Sequence, residues 1–211
     1  MSKSSGSSGP YHHGDLRAAC LRAARELLEE DGGAGLSLRA VARRAGVSPT
    51  APYRHFANRE VLVSAIAAEG YRELAGYLAG AHPAPLTPAD LATVAVAYVR
   101  FALEHPALFR VMFSEPCDPG NDERVAATAV ISAYVDGLVR RAFPDTGAGA
   151  DVGALSSAVW ALVHGLAFLH LDGKLDASSD EAVADRVRAA VHAVFGMAAQ
   201  RPGAPSPEPR R

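Results

Sequence analysis

The sequence predicts an all-α protein of about nine helices, with a small three-helix head at the N-terminus and a larger helical body behind it. Three observations carry this expectation. Ala, Leu, Arg and Glu dominate long stretches of the 211 residues, while strand formers gather into no alternating runs. Apolar residues make up 49% of the chain, enough for one large core or two smaller ones. Charge is divided unevenly: residues 1–60 hold nine Lys or Arg against six Asp or Glu, and the remainder twelve against seventeen, within a net charge of -2. A small basic module on an acidic body is the arrangement to explain.

Residues 1–10 read as a disordered tail or linker, without the apolar stretch of a signal peptide. From Asp15 to Asp31, Leu16, Cys20, Ala23 and Leu27 form one face of an amphipathic helix, which Gly32, Gly33 and Gly35 end. Ser37 suits the N-cap of a second helix, with Leu38, Val41, Ala42 and Ala45 inward and Gly46 closing it. Ser48 would cap a third, very short helix ending near Phe56, and Asn58 a fourth running through Leu62, Ile66, Leu74 and Leu78. Further helices are expected over Thr87–Glu104, from Pro106 to about Phe113, from Asn121 to Phe143, from Ala150 to Leu171 and from Ser178 to about Ala199. In the last, Ser178 and Glu181 fit a capping box. Residues 200–211 are Pro-rich and read as a second disordered tail.

Two prolines stand in the third helix. With Ser48 as N-cap, Pro49 takes position N1, where a missing N–H costs nothing. Pro52 would then be N4 and delete one hydrogen bond at the helix entrance. Two short helices joined by a tight turn at Gly46, with a supporting helix before them, fit a helix-turn-helix unit. Packing Leu38, Val41 and Ala42 against Val47, Tyr53 and Phe56 leaves Arg39, Arg43, Arg44, Thr50, Arg54 and His55 outward. Residues 39–59 contain five arginines and no acid, a composition suited to neutralising phosphates and reading guanine edges.

The stretch LSLRAVARRAGVSPTAPYRHFANREVLVSAI (36–66) resembles the N-terminal domain of the tetracycline-repressor (TetR) family of bacterial transcription regulators. Gly46-Val47-Ser48, the Tyr53-Arg54-His55-Phe56 block, and Arg59-Glu60 after Asn58 carry the likeness. Tyr11 to Leu16 is similar to the opening of one branch, and Trp160 through His164-Gly165 to that branch's Trp-His-Gly ligand domain. The resemblance implies a helix-turn-helix DNA-binding domain at 11–58 and a helical ligand-binding and dimerisation domain at 59–199. It places Ser37, Tyr53, His55 and Arg59 on phosphates, and Arg44, Thr50 and Ala51 at base-reading positions. Pro52 departs from the Leu common in the family at large and offers only an apolar contact; Arg39, Arg43 and Ser48 complete the expected DNA surface.

For the body, the resemblance implies a homodimer, a double-stranded DNA operator and a small-molecule effector, in a repressor that the effector releases. Small residues on 150–171 and the Val183, Val187, Val191, Val194 stripe suit a four-helix dimer interface, although such stripes usually serve the core of one chain. Phe101, Phe109, Met112, Phe113, Trp160, His164 and Phe168 are the candidate ligand contacts. An enzyme finds little support: no HExxH, phosphate loop, CxxC or paired-carboxylate motif occurs, and no cofactor or metal is expected. A purely architectural DNA-binding protein fits the acidic body poorly. No charge-free and glycine-free apolar run of membrane length is read, and Cys20 and Cys117, unpaired by any metal spacing, suit a reducing cytoplasm.

Overall fold

The computed structural model describes residues 13–82, 87–114, 121–143 and 151–196. These residues form eight α-helices, a 3-10 turn and a π-helical segment, and no strand occurs among them. The helices are α1 (His13–Asp31), α2 (Leu38–Arg44), α3 (Arg59–Ala81) and α4 (Pro88–Glu104), then α5 (Pro106–Ser114), α6 (Asp122–Ala142), α7 (Val152–Leu171) and α8 (Asp180–Val191). The 3-10 turn is Ala51–Arg54, and the π segment, His192–Gly196, extends α8. The two expected tails, together with residues 197–199 of the last predicted helix, lie outside the described residues.

The chain divides into two compact units: residues 1–71 with 107–128, and residues 72–106 with 129–211. In the first, α1, α2 and the 3-10 turn pack on one another. Leu16, Cys20, Leu21, Ala24 and Leu28 form the buried face of α1. Of the expected face, Leu16, Cys20 and Ala23 are buried, whereas Leu27 is only half-buried and Leu28 takes the inner position. Gly32 and Gly33 take positive φ beyond its end, and the Asp31 carboxylate accepts from the N–H groups of Gly33 and Gly35.

Ser37 caps α2, its hydroxyl accepting from Ala40 N–H at 3.2 Å. The helix stops at Gly46, whose φ of 68° belongs to the left-handed region. Val47 N–H reaches back to Ala42 C=O and Gly46 N–H to Arg43 C=O, so the final carbonyls of α2 are satisfied by a Schellman closure.

In the second unit α4 packs against both α7 and α8. Thr87 and Asp90 form a reciprocal capping box at the start of α4 and Pro88 occupies its first turn. At α8 the cap lies one residue later than expected: Ser179 accepts from Ala182 N–H, whereas Ser178 donates to Asp176 through both its N–H and its hydroxyl. Helix α7 is long and apolar enough by length and composition to cross a bilayer, but Gly153 and Gly165 interrupt its apolar run, as the sequence reading has it. Its Val159, Val163, Leu166 and Ala167 are buried within the unit, while Ala154, Ser157, Ala158, Ala161, Gly165 and Leu169 are exposed.

Gly46 tests the local logic. A Cβ there would meet nothing within 4 Å, so only the backbone resists. Gly46→Ala is expected to lower stability by about 1–2 kcal/mol, measured by urea unfolding.

Candidate nucleic-acid interface and interior cavity

The reading segment is shorter than the sequence suggested, and its prolines sit differently. Ala51 N–H bonds to Ser48 C=O at 3.0 Å, which makes Ser48-Pro49-Thr50-Ala51 a turn with proline at its second position. The helical turn that follows is 3-10 rather than α, and Thr50 is its N-cap residue. Pro52 is therefore N2 instead of N4, where no intrahelical hydrogen bond is forfeited. The Ser48 hydroxyl lies 3.4 Å from that of Thr50, and its carbonyl closes the turn.

Burial sorts the residues of this segment. Phe56 is sealed inside at 1% exposure, and the Arg17 guanidinium lies 5.8 Å from its ring centroid. Pro52 is also buried, so the apolar base contact expected of it is not on the surface. Tyr53 departs from its expected place in the packing, being 50% exposed. Arg39, Arg43, Arg44, Ser48, Thr50, Arg54, His55 and Arg59 are exposed as well, and Ala51 is half-buried.

Two arginines have company that local sequence did not announce. The Arg44 guanidinium makes a two-pronged pair with Glu30 of α1, at 2.8 and 2.5 Å, and a further bond to Glu26 at 3.3 Å. The hydrogen bond from Arg44 holds the Glu30 carboxyl below the usual range for glutamate. Glu26 and Glu30 stand one helical turn apart on α1, the spacing that could have signalled a shared partner. Exposed pairs of this kind contribute little to stability, so Arg44 can exchange one anionic partner for another at small cost. Arg59 opens α3 and donates from Nε to Leu36 C=O at 3.1 Å. This bond ties the end of the first loop to the segment after the reading turn.

The second unit contains a cavity lined by three facing stripes. Helix α4 contributes Leu91, Val94, Ala95 and Tyr98; α6 contributes Ile131, Tyr134, Val135 and Leu138. Val159, Trp160 and Val163 come from α7, with Leu78, Val191 and Phe195 closing the ends. No charged side chain lines it, and its free space is about 40 Å³. That admits a few water-sized groups at about 10–15 Å³ each. Of the ligand contacts expected from sequence, Trp160 lines this cavity. Phe101 is buried against Tyr77 and His105, while Phe109, Met112 and Phe113 belong to the first unit. His164 and Phe168 stand one layer behind, with ring centroids 4.8 Å apart.

A polar chain runs along the cavity wall. Trp160 Nε1 donates to the Tyr98 hydroxyl at 3.4 Å, and that oxygen lies 3.0 Å from His164 Nδ1. Burial lowers the His164 pKa below its ordinary 6.5, which favours the neutral ring, and the tautomer of that ring sets which partner donates in its bond with Tyr98. Tyr98 was missed in the sequence because nothing distinguishes it from a core tyrosine. Its spacing from Leu91, Val94 and Ala95, at i, i+3, i+4 and i+7, was the available signal. Among the described residues no cluster of His, Cys, Asp and Glu is arranged to hold a metal.

An arginine-bearing helix-turn-helix head and a separate helical unit with an apolar cavity define a regulator of the helix-turn-helix class. Residues 21–66 match the family described as bacterial regulatory proteins, tetR family, and residues 91–194 a tetracyclin repressor-like C-terminal domain. The chain belongs to the tetR family of bacterial regulatory proteins. An HTH-type transcriptional regulator of Mycobacterium tuberculosis strain H37Rv is 28% identical over 130 residues, covering 58% of this chain and 56% of that one. The chain thus spans little more than half the length of the curated relatives it matches. A solved Rhodococcus sp. RHA1 protein of unknown function is 36% identical, with a TM-score of 0.72 over 88% of this chain and 98% of that one. A tetR-family regulatory protein from Rhodococcus RHA1, 22% identical, shares the fold, with a TM-score of 0.62 over 84% and 95% of the two chains.

The depressed His164 pKa makes stability pH-dependent. As pH falls, the unfolded chain takes up this proton near 6.5 while the folded chain resists, so stability declines below that value and levels off beneath the folded pKa. His170, lowered by burial and by the nearby Arg186 charge, acts in the same direction. Thermal melts from pH 7.5 to 5 should show a shallower decline in His164→Asn than in the parent protein.

Proposed function

We propose that the chain is a ligand-responsive transcription regulator, a repressor, that binds a near-palindromic operator as a homodimer and releases it when a small apolar or amphipathic effector enters the body. In this reading residues 11–58 bind DNA, residues 59–199 bind effector and partner copy, and the protein works in the cytoplasm with no enzymatic reaction. The observation that carries it is the exposure of Arg39, Arg43, Arg44, Arg54 and Arg59 around a reading turn whose apolar side is buried. Within the family, Trp160, His164 and Gly165 support the branch with a Trp-His-Gly ligand domain.

Base reading falls to Arg44 and Thr50, with Ala51 adding an apolar contact, since Pro52 is buried. Ser37, Ser48, Tyr53, His55 and Arg59 face phosphates, together with Arg39 and Arg43. The exposed small-residue face of α7 supports the dimer: a partner helix can approach closely there, and burying an apolar face this long needs another protein surface. Two heads so paired would meet the operator about one DNA turn, roughly 34–36 Å, apart. An effector that favours a different spacing of the heads lowers DNA affinity by that difference in binding.

Footprinting on the region upstream of the protein's own gene should reveal a near-palindromic protected sequence. Equal affinity for scrambled DNA at physiological salt would sink the reading. Arg44→Ala should relax base preference by about 1–3 kcal/mol at one position, whereas Arg59→Ala should weaken all sites evenly and reduce the salt slope by about one. Melting curves on Arg59→Ala separate loss of the Leu36 bond from loss of a phosphate contact. Ala161 is exposed, so Ala161→Arg should leave the fold intact and yield monomers by sedimentation, with operator binding lost; dimers that persist would place the interface elsewhere.

A further inference from the structure

A shallow groove with about 240 Å³ of free space lies between α6 and α7, lined by Ser132, Asp136, Gly153, Ser156 and Ser157. It shares Ile131, Val135 and Trp160 with the interior cavity, so one side of these three residues faces each space. Trp160 is the largest of them, and at 36% exposure it reaches from the cavity to the surface. Its indole Nε1 donates to Tyr98 at 3.4 Å, a length at which a hydrogen bond is weak.

Ser156 points to what the groove receives. It is only 7% exposed, and its Oγ is buried without a hydrogen-bond partner. The neighbouring Ser157 instead donates to Gly153 C=O, the usual solution for a helical serine. A buried hydroxyl left unmatched costs stability, and a hydrogen-bonding group brought by a ligand would recover it. No cation lines either space, and Asp136 lines the groove, so an anionic head would be buried without a counter-charge.

We propose that the α6–α7 groove is the entrance and head-group site of the cavity, that Trp160 is the gate between them, and that the ligand is an uncharged amphiphile with a slim hydrocarbon body and one hydrogen-bonding head. The proposal rests on the effector-controlled reading above and deepens it. The head bonds to Ser156 while the body passes Trp160 and widens the cavity among the aliphatic stripes. Helices α6 and α7 must separate slightly, which couples occupancy to the position of both.

Trp160 is the single tryptophan of the chain, so its fluorescence reports on this site alone. Titration of the full chain, without DNA, with 1-octanol, octanoate and octyltrimethylammonium should change Trp160 emission, with octanol at least about tenfold tighter than octanoate. Ser156→Ala should weaken octanol about three- to tenfold, leave the headless probe cyclohexane unchanged, and not lower the melting temperature. Trp160→Ala should speed both association and release of the neutral dye Nile red in stopped flow. No emission change with any probe, either ion binding better than octanol, or an unaffected Ser156→Ala would overturn the proposal. If Trp160 responds as expected but no DNA sequence is preferred, the ligand site stands and only the regulatory reading falls.

Discussion

The second unit depends on α4 being buried almost all the way round. Leu91, Val94, Ala95, Val96, Tyr98, Val99, Phe101 and Ala102 are all inside, so the helix can exist only if other helices enclose it. Its ends are correspondingly well fixed, by the Thr87–Asp90 box at one end and the turn into Pro106 at the other. Once α4 is enclosed, the Tyr98 hydroxyl is carried into apolar surroundings and must find partners there. It finds them on α7, where Trp160 and His164 stand four residues apart on one face. The spacing of the Trp and His in the sequence is thus the spacing needed to bracket a single buried oxygen.

Most of the fold was legible because most helices announce themselves twice, by an apolar stripe and by a cap. Asn58 accepting from Val61 N–H and Ser37 accepting from Ala40 N–H are cases where cap and stripe agree. Reading failed where a single signal had two solutions. Ser178 and Ser179 are both cap residues, and Asp176 decides between them by claiming the first. Leu27 and Leu28 are both apolar, and only the packing of the first unit chose Leu28. The caps and aromatics of residues 48–57 suit an α-helix. Pro52 has no N–H to reach Ser48 C=O four residues back, and Ala51 N–H takes that carbonyl instead, so a tighter turn results.

The candidate site was legible to different degrees for the same reason. An arginine cluster without acids is visible in one dimension, and the exposure of those side chains accords with it. That Glu26 and Glu30 come back to Arg44 is a tertiary fact, with fourteen to eighteen residues of chain between the partners. In the body, aromatic residues drew attention although the cavity wall is largely aliphatic. Ile131, Val135, Val159 and Val163 carry ordinary core periodicity, and whether facing stripes close completely or leave a gap depends on volumes that no single helix records.

The reading turn has a kinetic side. Pro49 and Pro52 lock two backbone angles within four residues, and the Ser48–Ala51 bond closes the turn between them. Such a segment loses its conformational freedom when the chain folds, leaving little to lose when it docks. A surface that did not match this turn could not be accommodated by local remodelling of its backbone.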